Sequence, residues 1–322
     1  MRVPLFAYLA ILVFVGASIC HRRALATEIW FAPPDSVMQR NADFSELAKR
    51  PESWAGAARG TQVFAITINY LLRAPLDEVD QLLDFLKSNR IKLAVSMPAL
   101  PLDKARCGYN SEGAIWPGEA EVQVRGLLAR DIRPDFISFD LPLTSGHLDR
   151  RPTACHLSVK QTASQLAQSV RSYRRAFSNT HFVDAEVPTG IPPKLWRETL
   201  AQWLQQYRAE TGEELYGLSM DVWWAFQWRE AVRQTIDLLA SRQIRAGIYV
   251  GSDGGRGMTA EEWVADAKRN ACNLSRSGFS LDYVVIANWT LMAVKNVPQR
   301  QPSTLTNLLG WYQQGPPCDE TR

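Results

Sequence analysis

Short apolar runs recur along the chain, each followed by a polar, turn-rich loop and then by a stretch with helical periodicity. The runs are TEIWFAP (27–33), TQVFAITINYL (61–71), IKLAVSMPAL (91–100), PDFISFDLPL (134–143), HFVDAEVP (181–188), LYGLSMDVWW (215–224), RAGIYVGSD (245–253) and LDYVVIANW (281–289). Val, Ile and Phe are frequent in them, and Pro or Gly lies close by. That composition predicts strands of a sheet buried on both faces. Between the runs the period changes. LDEVDQLLDFLKSNR (76–90) places Leu76, Val79, Leu82, Leu83 and Leu86 on one helical face. Further helical stretches cover 119–132, 159–177, 194–212, 229–243, 259–278 and 304–314. Thr259 and Glu262 have capping-box spacing, and Gly212 and Gly278 are C-terminal stops. The segment between the first two strands reads as a helix broken around Pro51.

Eight strands alternating with eight helical segments over residues 27–322 predict one α/β domain, a single (β/α)8 TIM barrel. A doubly wound open sheet is the structural rival. It usually has fewer strands, and no glycine-rich phosphate loop follows the first strand here. No internal repeat, low-complexity tract or linker divides the chain.

Residues 1–26 stand apart from this pattern. Arg2 precedes an apolar stretch from Val3 to Ala17, and the segment closes on Ala24-Leu25-Ala26, a small-x-small cleavage pattern. It reads as a secretory signal peptide. The apolar stretch is short for a membrane span, which needs about 20 residues. His21, Arg22 and Arg23 before the Ala-x-Ala leave an uncleaved N-terminal anchor as the other reading, and the only route to a membrane. Either way the expected location is secreted or periplasmic.

Removing that segment changes the charge. Arg2, Arg22 and Arg23 leave with it and no acid does, so the formal net charge falls from +3 to zero. Neither the balance nor any long Lys/Arg run supports nucleic-acid binding. Of the five cysteines, Cys20 lies in the segment. Cys107, Cys155, Cys272 and Cys318 remain, an even count that fits two disulfides in an exported chain and leaves their connectivity open.

The candidate chemistry lies at strand ends, where barrel active sites are built. Three runs finish on an acid: DFISFD at Asp140, HFVDAE at Glu186 and LYGLSMD at Asp221. Side chains two apart in a strand share a face. Ser138 thus accompanies Asp140, Asp184 accompanies Glu186, Ser219 accompanies Asp221, and Thr67 accompanies Asn69. A polar pair late in an apolar strand is expected where the last interior layers meet a wet pocket. Asp184, deeper in its strand, is the member expected to be structural. Asp35 and Asp253 read as rim residues or turn formers. Aromatic residues cluster at the same ends: Trp30, Phe31, Tyr70, Trp116, Trp223, Trp224 and Trp289. Sugar rings stack their C–H faces on such side chains, while Asn69, Asn288 and carboxylates suit hydroxyl groups. Half of these aromatics are expected to pack under helices instead.

Two carboxylates across a cleft suit glycosidic cleavage. No GxSxG elbow for serine hydrolase chemistry is present. His147, His156 and His181 are scattered and no CxxC occurs, so neither metal nor other cofactor is expected, although a carboxylate-bound divalent ion stays open. Acids ending strands four and six resemble those of the α-galactosidase-like glycoside hydrolases and related endo-galactosaminidase-type barrels. By that resemblance Asp140 is the nucleophile and Asp221 the general acid/base, with Glu186 binding substrate or serving as an alternative acid. The likeness is architectural: FDLP lacks the KxD pattern of α-galactosidases, and the chitinase DxxDxDxE is absent. The expectation is an exported carbohydrate-active protein, a glycoside hydrolase. A non-catalytic glycan-binding or envelope barrel and a metal-assisted sugar-acid lyase or isomerase are the other readings. The oligomeric state is left open.

Overall fold

The computed structural model describes residues 27–35, 43–103, 106–108, 111–255, 257–290, 294–315 and 318. The signal-peptide or anchor reading of residues 1–26 falls outside them. Eight parallel strands close into a barrel: β1 (Glu28–Ala32), β2 (Val63–Thr67), β3 (Lys92–Met97), β4 (Phe136–Asp140), β5 (His181–Glu186), β6 (Gly217–Met220), β7 (Arg245–Val250) and β8 (Tyr283–Ala287). Neighbours in sequence are neighbours in the sheet, and β1 pairs with β8 from Glu28–Tyr283 to Ala32–Ala287 to seal it. The fold is thus a single (β/α)8 barrel.

Among the described residues seven longer helices pack around it: α1 (Leu76–Ser88), α2 (Glu119–Ala129), α3 (Val159–Ala176), α4 (Pro193–Thr211), α5 (Arg229–Ser241), α6 (Ala260–Arg276) and α7 (Leu305–Gln313). Their starts follow local chemistry. Thr259 caps α6 by accepting from the Glu262 N–H, and the Glu262 side chain returns the bond, as the spacing predicts. Ser158 and Gln161 form a second capping box on α3. α4 ends at Gly212, whose φ of 82° suits a residue without a Cβ. Among the described residues between β1 and β2 the chain makes short turns of helix around Pro51. Among the described residues no helix is long and apolar enough to cross a membrane.

Two apolar layers result. Outward strand faces and inward helix faces form the larger core, which includes Trp54, Trp196, Trp203 and Trp263, all fully buried. The barrel interior holds a smaller cluster of Trp30, Val63, Phe136, Val183, Tyr283 and Val285. Trp30 stacks on Tyr283 with ring centroids 4.7 Å apart and leans on Phe136 at 4.9 Å. The Tyr283 ring needs room from its neighbours: a Cβ on Gly247 would come within 2.1 Å of it, and one on Gly217 within 3.0 Å of its hydroxyl. Glycines on β6 and β7 therefore make space for an aromatic plug in the lower barrel. Among the described residues two disulfides occur, Cys107–Cys155 and Cys272–Cys318. The first joins the loop after β3 to the loop after β4. The second ties the tail to α6.

Candidate active site

Asp140 is the last residue of β4, and Asp221 directly follows β6, its N–H donating to the Glu186 carbonyl at 2.9 Å. Both acids line one cavity of about 330 Å³ at the C-terminal end of the barrel, together with Glu112, Asn69, Tyr249 and Trp289. A second cavity of about 350 Å³ adjoins it and shares Asp221, Tyr249 and Trp289. Its other walls include Trp223, Trp224 and Phe226. The two together form one cleft, with acids and polar groups on one side and aromatic rings on the other. Volumes of this size suit a few sugar rings.

Burial disfavours the charged form of each acid. Burial, with the nearby Glu112 charge, pushes the Asp140 carboxyl up to about 7. Burial also lifts Asp221 to about 7, with further contributions from Glu112, Asp140 and Asp253. The Tyr249 hydroxyl bonds Ser138, and burial together with the two acids keeps it protonated far above the ordinary phenol range. Beneath them, Ser219 shares a 2.9 Å hydrogen bond with Tyr283. Ser138 and Ser219 thus lie on the interior face with the acids that follow them.

Glu186 lies elsewhere, and the expectation for it is corrected. Ala185 lines the cavity, so the residues on either side of it in β5 point outward. The fully buried Glu186 carboxylate accepts the Leu143 N–H at 2.6 Å, the Thr144 N–H at 3.0 Å and the Thr144 hydroxyl at 2.6 Å. It holds the turn that follows Asp140, where Leu141 adopts a φ of 49°. Asp184 shares this outward face and accepts the Trp203 indole N–H of α4 at 2.7 Å. Its other oxygen is buried without a partner. Burial, aggravated by Glu186, holds the Asp184 carboxyl well above the usual carboxylate range. Burial likewise raises Glu186, against the pull of its three donors.

The aromatic and amide candidates divide in the same way. Trp223, Trp224, Trp289 and Asn69 line the cleft. Trp30 does not: it is part of the plug below. Nor does Tyr70. β2 stops at Thr67, whose hydroxyl oxygen caps a short helix from Ile68 to Arg73, turning Tyr70 inward against Phe44 and onto Glu78. Asn288 is fully buried, and its side-chain oxygen accepts the Thr290 N–H at 3.0 Å and the Thr290 hydroxyl at 2.7 Å. It shapes the turn that presents Trp289. Trp116 is exposed and lines neither cavity. Asp35 accepts the Thr67 hydroxyl. Asp253 accepts the N–H groups of Trp224 and Ala225 at 2.9 and 2.8 Å, holding the aromatic loop after β6 against the loop after β7.

Sequence reasoning missed Glu112, Tyr249 and Phe226. Tyr249 had a usable signal: it lies two residues after Gly247 on β7 and shares its interior face. Phe226 follows the Trp pair, in a loop where no periodicity applies. Glu112 sits in a loop that gives no period either.

No family model matches the chain, and no curated protein does. Solved structures match it across most of its length at low identity. Native xylanase 10B from Thermotoga maritima is 9% identical, with a TM-score of 0.54 over 90% of this chain and 97% of its own. A GH10 endoxylanase from a sugarcane soil metagenome is 11% identical, with a TM-score of 0.53 over 89% and 96%. The TsXylA xylanase of Thermoanaerobacterium saccharolyticum, in complex with xylotriose, is 10% identical, with a TM-score of 0.52 over 82% and 86%. The chain therefore shares the barrel fold of glycoside hydrolases.

Proposed function

We propose that this chain is an exported glycoside hydrolase in which Asp140 and Asp221 form the catalytic pair. The observation that carries the reading is one cavity holding two carboxyls that burial pushes up to about 7, beside a wall formed by Trp223, Trp224 and Trp289. Glycosidic cleavage needs one carboxyl protonated, to give its proton to the leaving oxygen. It needs the other ionised, to attack the anomeric carbon or activate water. Two acids in one cavity raise each other, so the first to ionise keeps the second protonated near neutrality. Besides Glu112, which acts on both, Asp253 adds its charge to Asp221. We assign Asp221 as the proton donor and Asp140 as the ionised partner, the roles that the resemblance implies.

Trp223, Trp224 and Trp289 supply faces for sugar rings, with Asn69 positioned for hydroxyl groups. A xylanase of this fold in complex with xylotriose supports a carbohydrate ligand for this chain. The two disulfides are consistent with an oxidising compartment and support export.

A glycan-panel hydrolysis assay on wild type, Asp140→Asn and Asp221→Asn tests the assignment. Each substitution is expected to lower kcat by roughly 10²–10⁴-fold, the usual worth of a positioned proton donor or acceptor. Equal activity in all three proteins removes both residues from the mechanism. Binding without cleavage by wild type replaces the hydrolase reading with the glycan-binding one.

A further inference from the structure

Glu112 belongs to neither strand nor helix, yet the fold delivers it to the cleft with several constraints. The loop after β3 forms a small ladder in which Leu100 and Pro101 pair with Ala114 and Ile115. The Gly113 carbonyl accepts the N–H groups of Ala99 and Leu100 at 3.1 and 2.9 Å. The Gly113 N–H donates to the Ser145 hydroxyl at 3.1 Å. Gly113 also lies so close to the end of β4 that an added Cβ would meet the Asp140 carbonyl oxygen at 2.1 Å. Five residues before Glu112, Cys107 is bridged to Cys155, and the Gly108 N–H donates to the Thr153 carbonyl at 2.7 Å. The loop bearing Glu112 is thus fastened at both ends to the segment that follows Asp140, and its carboxylate lines the cavity of the acid pair.

We propose that Glu112 is a positioning residue of this site, a fixed negative charge that sets the protonation of Asp140 and Asp221, and that the Cys107–Cys155 bridge holds it there. The effect on catalysis rests on the glycosidase reading. The electrostatic effect does not. The other groups facing the pair are Asp253 and Tyr249 from the β7 side and Glu186 from the far side of β5, with Arg151 facing Glu112 itself. Arg151 is engaged by Asp149 at 2.6 Å. Among these groups, Glu112 acts on both acids of the pair from outside it.

Carbon-13 NMR titration of labelled Asp carboxyls reads the effect without any substrate. Glu112→Gln is expected to lower the midpoints of Asp140 and Asp221 by roughly half a unit to one unit, the scale of a like charge removed from nearby. Glu112→Asp keeps the charge and should restore most of that shift. The double variant Cys107→Ser/Cys155→Ser should move the midpoints in the same direction, whereas Cys272→Ser/Cys318→Ser should not. Where a glycan is cleaved, the alkaline limb of the kcat/KM profile follows the midpoints downward. Unmoved midpoints in Glu112→Gln, or equal shifts in the Gln and Asp variants, overturn the electrostatic role. Unmoved midpoints in Cys107→Ser/Cys155→Ser overturn the role of the bridge. Wild type cleaving no glycan while its midpoints still respond to Glu112→Gln defeats the glycosidase reading alone.

Discussion

Asp140 and Asp221 are useful for the reason that they are costly. Their folded-state values near 7 stand above the unfolded carboxylate value of about 3.9, so the folded chain binds more protons between those limits. Stability contributed by their neutral forms is present at low pH and is lost as pH rises from about 4 through about 7. Asp140→Asn and Asp221→Asn should each raise Tm at pH 8, with the gain fading by pH 4. Thermal melts at the two values check this, and a constant gain at both would contradict it. Glu186 has a different task, because three donors converge on its carboxylate. Glu186→Gln turns one acceptor into a donor facing donors, and should cost about 1–3 kcal/mol in urea unfolding. Gly113→Ala should destabilise by a similar 1–3 kcal/mol, since the new methyl meets backbone rather than a movable side chain.

At the scale of elements, β5 shows what alternation can and cannot tell. A pair such as Asp184 and Glu186 announces a shared face, but not which face. That is fixed by register: Ala185 pairs with Asp140 on one side and Ser219 on the other, both of which face inward. A helix indole and loop N–H groups engage the pair on the outer face, so a polar pair did not need a pocket. The same alternation worked for β4 and β6, and it made Asp140 and Asp221 legible. Trp30 was misread because an indole fills a barrel interior as well as it lines a mouth. Tyr70 was misread because the cap at Thr67 ends a strand that its apolar residues would prolong. The loop after β6 carries a separate prediction. Trp223 is 54% exposed and Phe226 50%, with rings 5.5 Å apart. If they bind sugar faces, Trp223→Ala and Phe226→Ala should raise KM several-fold to about tenfold and leave kcat nearly unchanged, the scale of one lost aromatic contact.

The barrel itself was readable from the chain because strands buried on both faces are short and almost wholly apolar, while the helices keep one polar face. Each amphipathic stretch then had one place to go. Glu112 was not readable, since a ladder of two-residue strands, a disulfide and a glycine contact place it, and none of these leaves a period in the sequence. The two bridges act on the whole molecule in different ways. Losing Cys272–Cys318 should lower stability by about 2–5 kcal/mol while leaving the chemistry of the cleft intact, as unfolding and activity measured on Cys272→Ser/Cys318→Ser would show.

The plug of Trp30, Phe136 and Tyr283 has a consequence for traffic. These rings are almost wholly shielded from solvent, so among the described residues they close the tube beneath the acids. If the chain cleaves a glycan as proposed, the glycan has to lie across the rim rather than thread the barrel, and each fragment leaves by the doorway through which its parent arrived. The cleft is a workbench with one open side, and departure from it competes with the next arrival.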